Sequence, residues 1–186
     1  MSWAWLDGQD RWRGTDVLRL AAAASVPVVA VTYGTAAGLA LALVLGGCML
    51  LRFVDLPGPV DLAGQACFLA SGWWAAARTF ERVPHLDLVS HAGCGLVLGV
   101  LVVRLTGAAG PTYGQVLRTV LLVLVLGVVW ELGELAGHRW LAERIEVGGL
   151  DTVGDLVADT LGGLVGATWG LARPPRRLGQ VWRRSG

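Results

Sequence analysis

The chain has 186 residues, 54% of them hydrophobic and 16% charged, against about 25% charged in a soluble domain, and its mean hydropathy is +0.59. With a net charge of +1, no polyanionic partner is implied, and no nucleic acid is expected. Cys48, Cys67 and Cys94 are odd in number, form no CxxC and fall in apolar stretches, which speaks against a disulfide framework or a zinc finger and marks them as buried small hydrophobes.

Residues 1–16 mix Asp7, Asp10, Arg11, Arg13 and Asp16 with Trp3, Trp5 and Trp12. They read as an interfacial segment rather than a cleavable signal, because tryptophan favours the headgroup region and the following apolar run exceeds a signal core. That run, Leu20 to Leu51, is 32 residues: long for one crossing of about 20 residues and short for two. Pro27 and the stretch Val31-Thr32-Tyr33-Gly34-Thr35 offer a break, which predicts a first span near 17–32 and a second near 35–52. Pro57-Gly58-Pro59 is a turn. Further spans follow near 59–78, 86–105, 114–135 and 152–172, and 173–186 is a basic tail. The expected fold is all-α, a polytopic bundle of about six transmembrane helices in one domain (17–172), with no evident internal repeat.

Arginine sets the expected orientation, since positive charge collects on the cytoplasmic side. All basic residues are Arg. Six spans place Arg11, Arg13, Arg19, Arg52, Arg104, Arg118, Arg173, Arg176, Arg177, Arg183 and Arg184 on one side, and Arg78, Arg82, Arg139 and Arg144 on the other. Both termini are therefore expected in the cytoplasm of a bacterial inner-membrane protein. The pairs Gly34/Gly38, Gly95/Gly99 and Gly133/Gly137 and the series Gly162/Gly166/Gly170 are small-xxx-small patterns that mark helix contacts.

Ionisable residues inside spans are costly and face a bundle interior or a wet cavity. The fourth span opens with Asp87 and His91, four apart on one helix face. The fifth ends with Glu131, Glu134 and His138, again one stripe, followed by Arg139. The sixth opens with Asp151, Asp155 and Asp159. The expected orientation puts all three stripes at one level, toward the outer leaflet. Imidazole and carboxylate ligate divalent metals, and carboxylates crowded without a cation would take up protons. Either state serves chemistry, a metal by polarising a substrate oxygen and a neutral carboxyl as a general acid. The metal candidates are His91, Glu131, Glu134, His138, Asp151 and Asp155, with Glu131, Glu134 and Asp155 also as catalytic groups. Asp87, Arg139 and Asp159 are candidate substrate contacts. His85, Glu143 and Glu146 read as hydrated interface residues, and Arg144 as a partner for the cluster or an anionic headgroup. No HExxH, P-loop or GxSxG is present.

Three segments resemble the VanZ-like and YjdF-like bacterial membrane proteins: Asp87 with His91 ahead of Gly93-Cys94-Gly95, Trp130-Glu131-Leu132-Gly133-Glu134, and Asp151-Thr152-Val153-Gly154-Asp155-Leu156 with Asp159 and Gly162-Gly163. Together they cover roughly residues 85–170. Asp159 departs from the Asn or small residue usual there, and the loop between His138 and Asp151 is short. The resemblance implies a small helical membrane protein with clustered polar residues, and points to envelope lipids or cell-wall precursors.

Three functions remain open. The leading one is a membrane-embedded enzyme on a lipid or isoprenoid-type substrate, with a divalent metal ion or acid/base groups at the cluster. The others are a proton- or ion-coupled small transporter or flippase, and a non-catalytic subunit of a membrane complex. A homodimer or complex partner is compatible with each.

Overall fold

A computed structural model of the chain describes residues 12–54, 56–106, 112–140 and 149–172. Most of the interfacial segment, the basic tail, and Glu143, Arg144 and Glu146 lie outside the described residues. The described chain is all helical: α1 (Asp16–Tyr33), α2 (Thr35–Phe53), α3 (Gly58–Ala76), α4 (Leu86–Thr106), α5 (Tyr113–Trp140) and α6 (Gly149–Ala172). Four of these, α1, α2, α4 and α5, are long and apolar enough to cross a membrane. α3 and α6 have the length, 19 and 24 residues, but polar residues dilute them: Asp61, Gln65 and Ser71 in one, three aspartates in the other.

The long apolar run does divide in two. The break is a single residue, Gly34, at φ 103°, a left-handed conformation that glycine adopts without a Cβ clash. Pro27 sits inside α1 and is not the break. The two helices fold back closely enough that a Cβ on Gly38 would lie 2.5 Å from the Ala30 Cβ. α5 continues through Trp140, so Glu131, Glu134 and His138 are all helical, as their spacing requires.

The helices group as α1–α3 and α4–α6. α1 packs mainly on α2, which also packs on α3; in the second group the most extensive interface is α4 with α6. The groups meet where α3 faces α4, around a core of Leu51, Phe68, Val97, Val100 and Leu101. Beside that core lies an apolar cavity of about 220 Å³, bounded by Val60, Gly64, Cys67, Gly93, Leu96 and Val100. Ser90 donates to the Ser71 hydroxyl across the same seam at 2.7 Å. The outward side of α5 is a surface of exposed Leu121, Val125, Val129, Leu132 and their neighbours, which suits lipid rather than water.

Glycine sets the α4–α6 distance. A Cβ on Gly162 would strike the Ala92 carbonyl, one on Gly166 the Leu96 carbonyl, and one on Gly95 the backbone of Asp159. Gly99 fits against the Gly163 carbonyl, where a Cβ would come within 2.6 Å. These are the expected small-xxx-small contacts, acting through van der Waals approach of the backbones. Of the pair Gly133/Gly137, Gly137 is buried, while a Cβ on Gly133 would meet nothing within 4 Å among the described residues.

Candidate functional site

On α4, the residues that repeat every four positions from Asp87 are His91, Gly95 and Gly99. On α6, Asp155 and Asp159 lead into Gly162 and Gly166. Each helix thus carries one face with acid or imidazole groups in its first turns and glycine beyond. Because the glycines bring the two backbones together, the polar turns are pressed against each other.

His91 lies at the centre of this contact. Its Nε2 lies 3.7 Å from Asp87 Oδ1 and 4.0 Å from Asp155 Oδ1, and its Nδ1 lies 3.3 Å from Asp159 Oδ2. The side chains of His91, Asp155 and Asp159 are 11%, 4% and 6% exposed; Asp87, at 34%, is the open side. One ligand atom from each of Asp87, His91 and Asp155 falls within 4.8 Å of the others. Asp155 Oδ1 is buried and has no hydrogen-bond partner among the described residues. A buried acceptor left in that state is unfavourable by about 1–3 kcal/mol, more when charged, so a bound cation or proton is the natural complement.

α5 supplies the carboxylates next in line. Glu131 accepts a hydrogen bond from Thr152, and its Oε1 is buried without a partner among the described residues. Glu134 accepts one from the Trp130 side chain. Neither belongs to the group of ligand atoms within 4.8 Å, and nor do His138 and Asp151. Asp151 is exposed in the first turn of α6, and His138 and Arg139 occupy the last turn of α5. Acids at a helix start and bases at its end are favoured by the helix dipole, which accounts for these three residues. It does not account for Asp155 and Asp159, which lie deeper in α6. Asp87, expected to touch substrate, stands among the potential metal ligands.

A second buried centre escaped the sequence reading. Arg19 on α1 donates from NH2 to Asp61 Oδ1 on α3 and from NH1 to Asp16 Oδ1, each at 2.7 Å, and from Nε to the Cys48 carbonyl of α2 at 3.1 Å. Arg52 reaches Asp16 at 3.1 Å. Thr15 and Gln65 donate to Asp61 at 2.5 and 3.0 Å. Two arginines and two aspartates balance, so this centre ties three helices together without net charge. Its available signal was Asp61 and Gln65 at i, i+4 in an otherwise apolar helix. From Asp61 to Ser71, beside α4, α3 runs about 15 Å at 1.5 Å per residue, which sets the two centres toward opposite ends of the bundle.

The family model described as a predicted membrane protein (DUF2238) matches residues 17–176, a stretch that takes in nearly the whole helical bundle and the His91 cluster. No curated protein and no solved structure matches the chain.

Proposed function

The chain belongs to the family of predicted membrane proteins DUF2238, and from that premise we propose a membrane-embedded enzyme that acts on a lipid or isoprenoid-type substrate at the His91 cluster. The carrying observation is Asp155 Oδ1, buried without a partner among the described residues and 4.0 Å from His91 Nε2, on a residue that offers a ligand atom within 4.8 Å of those of His91 and Asp87. Two carboxylates and one imidazole suit manganese, iron or zinc. Three protein ligands leave positions for a substrate oxygen, as in catalytic metal sites. When bound, the ion would polarise that oxygen.

Asp87, His91 and Asp155 would hold the metal. Glu131 and Glu134, on the neighbouring helix, would move protons as general acid or base. The half-open Asp87 side gives the substrate headgroup its approach, while the tail stays in the bilayer or the apolar groove between helices. Six spans with both termini in the cytoplasm would set this cluster toward the outer leaflet of a bacterial inner membrane. The resemblance of residues 85–170 to VanZ-like and YjdF-like proteins points to the same envelope lipids.

The test is metal content by mass spectrometry of the detergent-purified protein beside Asp155→Asn and Glu134→Ala. It is followed by incubation with polar lipid extract and polyprenyl phosphates under product detection. About one divalent ion per chain, lost with Asp155→Asn, and a product that disappears with Glu134→Ala support the reading. No metal and no turnover sink it.

A specific observation favours a second reading, ion-coupled transport: two buried polar centres toward opposite ends of the bundle, with Ser71 and Ser90 hydrogen-bonded at the seam. Proton uptake by proteoliposomes, abolished by Asp155→Asn without any lipid product, would favour it.

A further inference from the structure

Asp159 stands on α6 one turn beyond Asp155 and is 4% exposed. Its Oδ2 lies 3.3 Å from His91 Nδ1, and the imidazole hydrogen-bonds this carboxylate. The other ring nitrogen, Nε2, is the one near Asp87 and Asp155. A neutral imidazole carries one N–H and one lone pair, and the bond made by one nitrogen decides what the other offers.

The carboxylate is held by shape as well as by the bond. A Cβ on Gly127 of α5 would come within 2.6 Å of Asp159 Oδ2. A Cβ on Gly95 of α4 would strike the Asp159 backbone. Glycine on each flanking helix therefore leaves the space in which Asp159 lies against His91. Three helices converge on one carboxylate, and nothing in the helix dipole or in α6 packing asks for an acid there.

We infer that Asp159 is a positioning residue: it takes the Nδ1 hydrogen of His91, fixes the ring, and turns a bare Nε2 toward Asp87 and Asp155. Gly127 and Gly95 exist in this role as the cradle for its carboxylate and backbone. Asp159 thus acts through His91 and not on substrate. The inference rests on the reading of the cluster as a metal site for its purpose, but the tautomer it requires is independent of any metal. Partners of this kind orient histidine ligands, and their loss weakens metal binding by about 10–100-fold.

The experiment uses full-length protein in lipid nanodiscs, with ¹⁵N-labelled histidine, stripped of metal by chelator and held at alkaline pH. Nitrogen chemical shifts separate a protonated from a bare ring nitrogen, and His91→Gln identifies the His91 signals among those of His85 and His138. Wild type is expected to show hydrogen on Nδ1 and a bare Nε2. Asp159→Asn keeps a carbonyl acceptor and should retain that tautomer. Asp159→Leu should lose it, and Gly127→Ala, which leaves the aspartate in place but crowds it, should shift the same way. If Asp159→Leu does not fold, Gly127→Ala carries the test.

Mn²⁺ titration of the same samples is the second readout. A drop of about 10–100-fold for Asp159→Leu, with Asp159→Asn closer to wild type, supports the inference. An unchanged tautomer in both Asp159→Leu and Gly127→Ala overturns it, even where wild type binds Mn²⁺ and the metal reading stands. A tautomer lost in those variants, in a protein that binds no Mn²⁺, upholds the positioning role and rejects the metal.

Discussion

Arg19 of α1 donates to Asp61 of α3 at 2.7 Å, and their side chains are 5% and 2% exposed. This bond closes a centre that holds the first three helices at one end of the bundle. Removing one partner from a buried ion pair leaves the other uncompensated, at about 3–5 kcal/mol.

Asp61→Ala is therefore expected to destabilise the protein by up to about that amount, since Gln65 and Thr15 lose their acceptor and Arg19 keeps only Asp16 and the Cys48 carbonyl. Asp61→Asn, which keeps a carbonyl oxygen, should lose less. Thermal unfolding in detergent measures both, and a stability for Asp61→Ala equal to wild type would refute the buried network.

Glycine packing predicts opposite signs for two Gly→Ala changes, one at the α4–α6 contact and one on the open face of α5. Gly162→Ala drives a methyl into the Ala92 carbonyl and should destabilise by about 1–3 kcal/mol through overpacking. Gly133→Ala enters open space in a helix interior, where alanine is better than glycine by about 0.5–1 kcal/mol. The same unfolding assay compares them; a harmless Gly162→Ala would mean the helices stand farther apart.

Metal affinity should separate His91 from His138. His91→Ala removes a potential ligand and should weaken Mn²⁺ binding by more than the about 10–100-fold typical of an outer partner. His138→Ala, outside the group of ligand atoms, should change it less than twofold on the ~1.4 kcal/mol-per-decade scale of binding. Equal losses would move the centre toward the end of α5.

Topology is open to a direct check. With six spans and the expected orientation, in which both termini would face the cytoplasm, a fluorescent protein fused after the basic tail should fluoresce. Alkaline phosphatase inserted between α3 and α4, near Arg82, should be active outside. An inactive insertion there, with the C-terminal fusion still fluorescent, would require an even number of crossings after α3 and so, with α4 and α5 both crossing, would remove α6 from the list.

The stripes of the His91 cluster were legible because helical spacing is local. Asp87 and His91 on α4, and Asp155 and Asp159 on α6, each share a face by their separation of four. Which member of one stripe meets which of the other was not legible. His91 takes Asp159 on one nitrogen and faces Asp87 and Asp155 with the other, while Glu131 and Glu134 stay on the adjoining helix. The Arg19 centre was missed for a related reason: its partners Arg19 and Asp61 are 42 positions apart, and each alone looks like a charge at a helix end.

By itself the sequence determined the class, a helical membrane protein, and the helices to within a few residues, because chain length and apolarity decide whether a segment can satisfy its backbone in lipid. It also marked the glycines of α4 and α6 as contact residues. The tertiary structure alone decided which faces turn inward and which polar groups meet. In a bilayer, lipid and protein core are equally apolar, so hydrophobicity does not distinguish the inner face of a helix from the outer one. That choice falls to close backbone packing at Gly95, Gly162 and Gly166, and it is this packing that sets His91 between the aspartates.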